Sequence, residues 1–312
     1  ARVEAAQARL DKIPAILKRF RQSVLAAATS GELTKEWRGD EHCEETAITL
    51  LAKLQEMRQD LYIDEITRGN KETKRLSAKV KNHSPVLPTS RLPNGWAWTS
   101  FMSSMLKVVD CHNKTAPYIE SGIPLIRTTD IRDGVISLKG AKFISQETYE
   151  FWARRCPPEP GDIIFTREAP MGEAGVVPDD TKLCMGQRMM LLRPAPEYVL
   201  AEYVVFNTLS LDFKERMNRQ AIGSGVKHLR VADVEALTFP LPPLKEQIEI
   251  VRRIEKLFEE ASLVENQYHA AKARLDKLTQ SILARAFKGE LLTNPVGSEI
   301  TEIENSIEAL NA

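Results

Sequence analysis

The sequence has no long hydrophobic run and few cysteines, and each absence excludes a class of protein. No apolar run approaches the about 18 residues of a transmembrane helix, so no membrane span is expected. The charged start, Ala1-Arg2-Val3-Glu4, does not resemble a signal peptide. It also lacks Met, which predicts a fragment or a processed chain. The 4 cysteines are scattered without a close pair, which is typical of a reducing, cytoplasmic compartment.

Net charge and metal-ligand clusters are also lacking. The 43 Lys and Arg residues balance 43 Asp and Glu residues, so the formal net charge at pH 7 is zero. A nucleic-acid-binding domain usually has an excess of basic residues. Two Cys–His neighbours, His42-Cys43 and Cys111-His112, do not supply the four ligands of a zinc site. No metal site is therefore predicted, and any nucleic-acid binding must use local clusters of charge.

An internal repeat is the first positive feature of the sequence. The segment AAQARLDKI at 5–13 corresponds to AAKARLDKL at 270–278, and the copies resume at 22–26 and 280–284. Each copy ends in Gly-Glu-Leu, at 31–33 and 289–291. The first copy carries about seven extra residues, which is one heptad of a coiled coil. A whole heptad enters a coiled coil without shifting the apolar seam.

Apolar residues recur every three or four positions in both copies, as in a coiled coil. Pro14 should kink or interrupt the first helix. The second should begin after Pro242-Pro243, with Glu246 in its first turn, and run to about Lys288, some 40 residues or about 60 Å. The alternative is an ordinary amphipathic helix packed on a globular core. The predicted coiled-coil interface comprises Leu10, Ile13, Leu17, Phe20, Val24, Ile254, Leu257, Val264, Tyr268, Leu275, Leu278 and Ile282.

Between these copies the pattern changes to short apolar runs separated by Gly, Pro and Asp. A helix is predicted from Glu44 to Arg68 and another from about Ala201 to Met217, with a loop at 82–88. The other apolar runs predict strands at 123–127, 135–138, 162–166, 175–177 and 189–193. The predicted fold class is α+β, with one globular mixed α/β domain flanked by long coiled-coil helices.

Five parts are predicted along the chain. Residues 1–38 form a coiled-coil helix, 39–90 a charged helical connector and 91–243 the globular domain. Residues 244–289 form a second coiled-coil helix and 290–312 a tail. The globular part has roughly 150 residues, a normal size for one domain.

Several motifs, in this order, resemble the specificity subunits of type I restriction enzymes. Ile13–Gln22 resembles the family's conserved helix, and the others surround or lie within the globular domain. These are Leu92-Pro93-Asn94-Gly95-Trp96-Ala97-Trp98, Pro124–Ile131, Gly161–Arg167, Gly186-Gln187-Arg188 and Pro240-Leu241-Pro242-Pro243-Leu244-Lys245-Glu246-Gln247-Ile248. The resemblance covers nearly the whole chain and implies that 91–243 is a target-recognition domain and 244–289 a conserved spacer helix.

The resemblance implies a non-catalytic subunit that reads one half of a bipartite double-stranded DNA target. Its helices would dock modification (methyltransferase) subunits and, through them, restriction (translocase/nuclease) subunits. S-adenosylmethionine, ATP and Mg would belong to those partners, and no cofactor is expected in this chain. A complete subunit has two recognition domains and two conserved helices. This chain has one domain and a truncated first helix, so we interpret it as a C-terminal half or as a half-subunit that pairs with a second copy.

Base reading requires polar or charged side chains on loops. The predicted DNA-binding residues are Arg127, Thr128, Thr129, Arg132, Arg167, Glu168, Arg188, Ser224, Lys227, His228 and Arg230. For any single arginine, a surface salt bridge is an equally good interpretation. Gly223-Ser224-Gly225 fits either a close approach to a phosphate or a simple hairpin turn.

Two other functions stay open at this point. The chain could be a coiled-coil scaffold whose middle domain binds protein. It could also be a metal-dependent nuclease, because Pro178-Asp179-Asp180-Thr181-Lys182 with Asp162 superficially matches a nuclease motif. The sequence has no Gly-rich cofactor turn, no Asn/Asp-Pro-Pro-aromatic methyltransferase motif and no Walker-type loop for ATP.

Overall fold

The computed structural model describes residues 7–40 and 45–288. The chain divides into two compact units, which we call the helical unit (Ala1–Val24 with Arg253–Ala312) and the domain unit (Leu25–Arg252). The predicted tail at 290–312 and the second Gly-Glu-Leu at 289–291 lie outside the described residues. Within the described ranges, no helix is long and apolar enough to cross a membrane.

The elements alternate between helices and short strands, as expected for the α+β class. The helices are α1 Ile13–Ser30, α2 Lys35–Asp40, α3 Ala47–Thr67, α4 Lys71–Lys81, α5 Phe101–Ser104, α6 Gln146–Trp152, α7 Ala201–Leu209, α8 Leu211–Gln220, α9 Val231–Glu235 and α10 Leu244–Phe287. The strands are β1 Ala97–Ser100, β2 Lys107–Asp110, β3 Ile123–Ile126, β4 Ile131–Arg132, β5 Val135–Ile136, β6 Lys142–Ile144, β7 Ile163–Thr166, β8 Ala174–Val176, β9 Cys184–Met185, β10 Met189–Arg193 and β11 Thr238–Leu241.

In the helical unit, two helices pack against each other through one apolar cluster. Leu10, Ile13 and Leu17 contact a stripe on α10 that comprises Ala261, Tyr268, Ala271 and Leu275. Arg21 pairs with Glu265 at 2.7 Å, and Asp11 pairs with Lys272 at 3.9 Å. Asp11 precedes Arg21 in the chain, whereas its partner Lys272 follows Glu265. The two helices therefore run antiparallel.

The other predicted interface residues differ in burial. Val24, Ile254 and Leu278 are buried, whereas Leu257, Val264 and Ile282 are half-buried. Phe20 is 38% exposed. A turn at residues 11–12 precedes α1, so Pro14 lies in the first helical turn, where its missing N–H costs little. The predicted interruption near Pro14 is confirmed.

The domain unit is built on a four-stranded antiparallel sheet in the order β2-β10-β7-β8. A three-stranded sheet, β6-β3-β9, pairs β3 with β9 in parallel, and two-stranded sheets join β1 to β11 and β4 to β5. Strands lie at all five places where the sequence predicted them. Phe101 fills the core beside Phe165, Phe213 and Phe239, with ring centroids 5.7–5.8 Å apart.

The predicted single helix from Ala201 to Met217 was wrong. It is two helices, α7 and α8, because Ser210 between them is extended, with φ −69° and ψ 146°. The Ser210 hydroxyl accepts a hydrogen bond from the Phe213 amide at 3.3 Å and so caps the second helix.

The connector contains the predicted helix α3 and a further helix, α4, that the sequence analysis did not predict. Arg58 of α3 is 6% exposed and donates to the carbonyls of Met102 (2.7 Å) and Met105 (3.0 Å). These bonds tie α3 to the short helix α5. Asn70 caps α4 by accepting from the amides of Glu72 and Thr73.

Candidate nucleic-acid interface

The strand ends of the main sheet bring several loops to one edge. β7 ends at Thr166 opposite Met189, where β10 begins, and β2 ends at Asp110 opposite Met190. The amide of Gly186 donates to the Ile126 carbonyl at 2.8 Å, which brings the end of β3 to the same place. We use the name loop edge for the segments 127–132, 167–169, 186–188 and 222–230.

The segment Arg167-Glu168-Ala169 lies at the centre of the loop edge. The Arg167 amide donates to the Arg188 carbonyl at 2.8 Å, and the Leu229 amide donates to the Arg167 carbonyl at 3.0 Å. The Thr128 hydroxyl donates to the Ala169 carbonyl at 2.7 Å. A β-bridge pairs Glu168 with His228. All the predicted DNA-binding residues therefore lie on segments that main-chain hydrogen bonds and the Thr128 hydroxyl hold together.

Gly186 explains why the motif Gly186-Gln187-Arg188 begins with glycine. A Cβ at this position would lie 2.7 Å from the Ile126 carbonyl oxygen, closer than real Cβ contacts. The close approach positions the following residues, and Arg188 takes a positive φ of 69°. Its side chain is 45% exposed, and its Nε lies 3.4 Å from Glu168. Arg188 thus projects from the loop edge beside a single carboxylate.

Two arginines of the loop edge are each paired with an aspartate three residues later in the chain. Arg127 donates to Asp130 through Nε (3.1 Å) and Nη2 (2.9 Å), and Arg230 donates to Asp233 at 2.9 Å through both groups. The hydrogen bonds that they donate to the carboxylates raise the pKa of both guanidinium groups, and the bond from Arg230 lowers the pKa of Asp233. The spacing Arg-x-x-Asp, present at both places, was the sequence signal for these partners, and it was missed.

Arg167 has a different environment. Its guanidinium donates from Nη1 to the Leu229 carbonyl at 3.1 Å, and its Nε is buried without a hydrogen-bond partner in the described part of the chain. The side chain is half-buried. Arg167 therefore organises the loops, whatever part of it faces a ligand.

The remaining predicted residues lie around this centre. Arg132 donates to the Thr128 carbonyl at 2.8 Å, and the Thr129 hydroxyl donates to Asp130 at 3.2 Å. Ser224 and Lys227 are exposed on a hairpin closed by two Ile222–His228 backbone hydrogen bonds of 3.0 Å. The hairpin interpretation of the glycines is confirmed, and phosphate contact by this hairpin stays a prediction.

The residues of the superficial nuclease motif have structural partners. Asp162 is 2% exposed and accepts from Arg193 at 2.8 and 2.7 Å. Lys182 donates to Gln146 at 2.8 Å and lies over the Tyr149 ring. Across residues 7–40 and 45–288, no group of three or more His, Cys, Asp or Glu residues is placed to hold a metal ion.

A second polar centre, which the sequence analysis missed, lies where the domain joins α10. Glu246 is 1% exposed and accepts from Trp96 Nε1 (2.7 Å), the Thr34 hydroxyl (2.7 Å) and Arg38 Nε (3.0 Å). Gln247 is fully buried, and its side-chain carbonyl accepts from the Leu200 amide at 2.9 Å. We use the name junction for Thr34, Arg38, Trp96, Glu246 and Gln247.

The first Gly-Glu-Leu of the repeat packs on the junction. Gly31 ends α1 with a positive φ of 81°, and a Cβ there would lie 2.5 Å from the Pro93 ring. The motif around Trp96, the end of the first repeat copy and the start of α10 therefore meet at one place. Trp96 and Glu246, one from each of the two motifs that border the domain, contact each other here.

Comparison with solved structures concerns the fold. A structure described as "Structural basis underlying complex assembly and conformational transition of the type I R-M system" matches with a TM-score of 0.51 at 20% identity. The match covers 78% of this chain and 57% of that chain. At this identity the likeness concerns the fold.

The family follows from the sequence comparisons. A family model described as "Type I restriction modification DNA specificity domain" matches residues 111–272, and the chain belongs to that family. It is 31% identical to the EcoBI specificity subunit of Escherichia coli over 99% of this chain and 58% of the relative. It is 32% identical to the EcoKI specificity subunit of Escherichia coli strain K12, with the same shares covered. The chain thus spans about three fifths of the length of these curated relatives.

Proposed function

We propose that this chain reads one half of a split double-stranded DNA target through its loop edge. The observation that supports the proposal is the convergence of separate loops on Arg167-Glu168-Ala169, fixed by main-chain hydrogen bonds and by the Thr128 hydroxyl. Base reading needs side chains whose donors and acceptors hold a fixed position, because each base pair presents its own pattern in the major groove. A fixed backbone under variable side chains meets that need.

The residues of the loop edge have different parts in this proposal. Arg127 and Arg230 are oriented by their aspartates, as a bidentate contact with a guanine requires. Arg188 projects next to Glu168, while Lys227 and Ser224 reach furthest into solvent and suit phosphate contacts. Arg167 holds the loops in register. Replacing a base-reading arginine costs about 1–3 kcal/mol of discrimination at one base position.

The partners follow from the names of the relatives, which are specificity subunits of type I restriction enzymes. We infer that the chain is the non-catalytic DNA-recognition part of such a complex in the cytoplasm. Modification subunits would dock on its helices and restriction subunits would join through them. Those partners would bring S-adenosylmethionine, ATP and Mg. The scaffold and nuclease alternatives are not favoured by the family.

A bipartite target also needs a second reader at a fixed distance. We propose that a second copy of this chain, or a further recognition domain of the same subunit, supplies it. The antiparallel packing of the helical unit supports a stiff spacer, because Leu10, Ile13 and Leu17 pack on the α10 stripe. Deleting one heptad, Ala261 to Gln267, should change the spacer of the target or abolish assembly, and leave the half-site bases unchanged.

The methylated-adenine map of cells that co-express this chain with a modification subunit tests the proposal. A split motif that depends on this chain supports DNA recognition, and a symmetric one indicates two paired copies. Absence of both methylation and modification-subunit binding would favour the scaffold alternative. The heptad deletion serves as the matched variant, since changed half-site bases would contradict the separation of reading from spacing.

A further inference from the structure

A compact group of aromatic and basic side chains lies beside the loop edge and belongs to none of the motifs above. The His112 ring packs edge-on against Phe151 and Trp152, with centroids 5.3 and 4.8 Å apart. The Arg154 guanidinium lies 4.1 Å from the centre of the Phe151 ring. The Trp152 indole donates to the Lys114 carbonyl at 3.3 Å. We use the name basic–aromatic patch for His112, Lys114, Phe151, Trp152 and Arg154.

The patch is continuous with the loop edge through the main sheet. The Cys111 amide donates to the Met189 carbonyl at 3.1 Å, so His112 follows directly after the strand that neighbours Arg188. Arg155, next to Arg154, donates to Asp110 at 2.6 Å at the end of β2. The patch thus extends the same edge sideways.

An exposed aromatic ring that carries a guanidinium on its face lies at the centre of the patch. Phe151 is 51% exposed, and the neighbouring rings of His112 and Trp152 are half-buried. Exposed aromatic rings next to guanidinium groups are characteristic of surfaces that bind nucleic acid or protein. The neighbouring charges decide between these partners.

The charges that act on the His112 ring are positive. Neither Lys114 nor Arg154 has a carboxylate within 4 Å in the part of the chain that the structure describes. Asp110 is paired with Arg155. On α6, Glu150 accepts a hydrogen bond from Gln146, and Glu147 lies on the same helix. Burial together with Arg154, Lys114 and Arg155 lowers the pKa of His112. The field at the His112 ring therefore suits a polyanion although the whole chain is neutral.

We propose that the basic–aromatic patch binds the sugar–phosphate backbone of the DNA duplex beside the half-site, independently of sequence. Lys114 and Arg154 contact phosphates, while Phe151 and His112 pack on deoxyribose. The proposal rests on the DNA-binding function of the loop edge and adds a separate surface to it. Phosphate contacts supply most non-specific affinity, which a neutral domain must obtain from a local cluster.

The test compares the Lys114→Ala/Arg154→Ala double variant with Arg188→Ala, each assembled with modification subunits. Affinity is measured over a range of salt concentrations for two labelled duplexes, one carrying the motif from the methylation map and one a shuffled sequence of equal length. The double variant should weaken both duplexes alike, on the order of tenfold, and lower the salt slope by about 2. Arg188→Ala should weaken only the motif-bearing duplex. Lys256→Ala, an exposed lysine of α10, is the control.

The outcomes separate this inference from the proposed function. If the wild type discriminates between the duplexes and the double variant keeps the wild-type salt slope, only the patch proposal is overturned. Lack of discrimination by the wild type overturns sequence reading, while a reduced slope in the double variant would still support the patch. A third variant, Phe151→Ala, should weaken both duplexes. Preference for single-stranded DNA that disappears in Phe151→Ala would mean base stacking and overturn backbone binding.

Discussion

The junction and the loop edge both use polar residues to hold separate chain segments together, but in opposite environments. At the junction, Glu246 and Gln247 are buried, and every donor that reaches Glu246 comes from another segment of the chain. At the loop edge, main-chain groups make long-range bonds together with the Thr128 and Arg167 side chains, and the side chains of Arg188 and Lys227 stay exposed. At the junction the polar side chains hold the structure together, whereas at the loop edge Arg188 and Lys227 stay available to contact a ligand.

This difference separates two tasks that a DNA reader must perform. Removing one partner of a buried polar contact costs much of the free energy of unfolding. Such contacts therefore fix one orientation of the bordering motifs. Exposed side chains over a fixed backbone change without unfolding the domain. We therefore expect junction variants to lose stability and loop-edge variants to lose discrimination between bases.

The largest expected effect is that of Glu246→Ala. The change leaves Arg38 and the Trp96 indole without their buried acceptor, which costs about 3–5 kcal/mol of the free energy of unfolding. Chemical denaturation followed by circular dichroism measures it. Glu255→Ala, at an exposed position of α10, is the control and should change stability by about 0.5 kcal/mol or less. A Glu246→Ala protein of unchanged stability would contradict the structural role of the junction.

A second junction variant separates backbone strain from packing. Gly31 and Gly69 both have positive φ, 81° and 89°, but only Gly31 has a neighbour where a Cβ would lie. Gly69→Ala should cost about 1–2 kcal/mol from the left-handed conformation alone. Gly31→Ala should cost about 1–3 kcal/mol more, because Pro93 must move. Equal losses in the two variants would show that the Gly31–Pro93 contact carries no stability.

The sequence predicted the regular parts of both regions and few of their contacts. Strands and α10 follow from local periodicity, and the loop-edge residues follow from the chemistry of base reading. The donors to Glu246 are separated from it by up to 212 residues, so no local pattern points to them. The break at Ser210 was missed because a serine between two apolar stretches resembles a polar position of one continuous helix.

At the loop edge, Arg188→Ala tests whether an exposed side chain discriminates between bases without contributing to stability. If Arg188 reads a base, its removal should relax the methylated motif at one position by about 1–3 kcal/mol, because one side chain reads one base. The melting temperature should stay unchanged, since the contact of the Arg188 side chain with Glu168 among the described residues is a long, partly exposed one. Arg252→Ala, a surface ion pair of α10 with Glu249, is the control. An unaltered motif would remove Arg188 from the readers.

The smallest expected effect concerns opening of the domain core, which Cys184 reports. Burial raises the pKa of Cys184 to about 12, so at pH 8 the native thiol is almost fully protonated. Alkylation by iodoacetamide then requires opening of the core, and its rate follows the free energy of that opening. Arg188→Ala should react within about twofold of the wild type, because its effect is confined to the surface.

The rate of Cys184 alkylation in Glu246→Ala completes the comparison. If the domain unfolds as one cooperative unit, loss of the junction should speed Cys184 alkylation about tenfold for each 1.4 kcal/mol of lost stability. Cys156, whose pKa burial raises to about 11, should accelerate in parallel. Faster alkylation of Cys184 in Arg188→Ala than in Glu246→Ala would mean that the loop edge, not the junction, holds the core closed. The proposed division between structural and reading side chains would then have to be reversed.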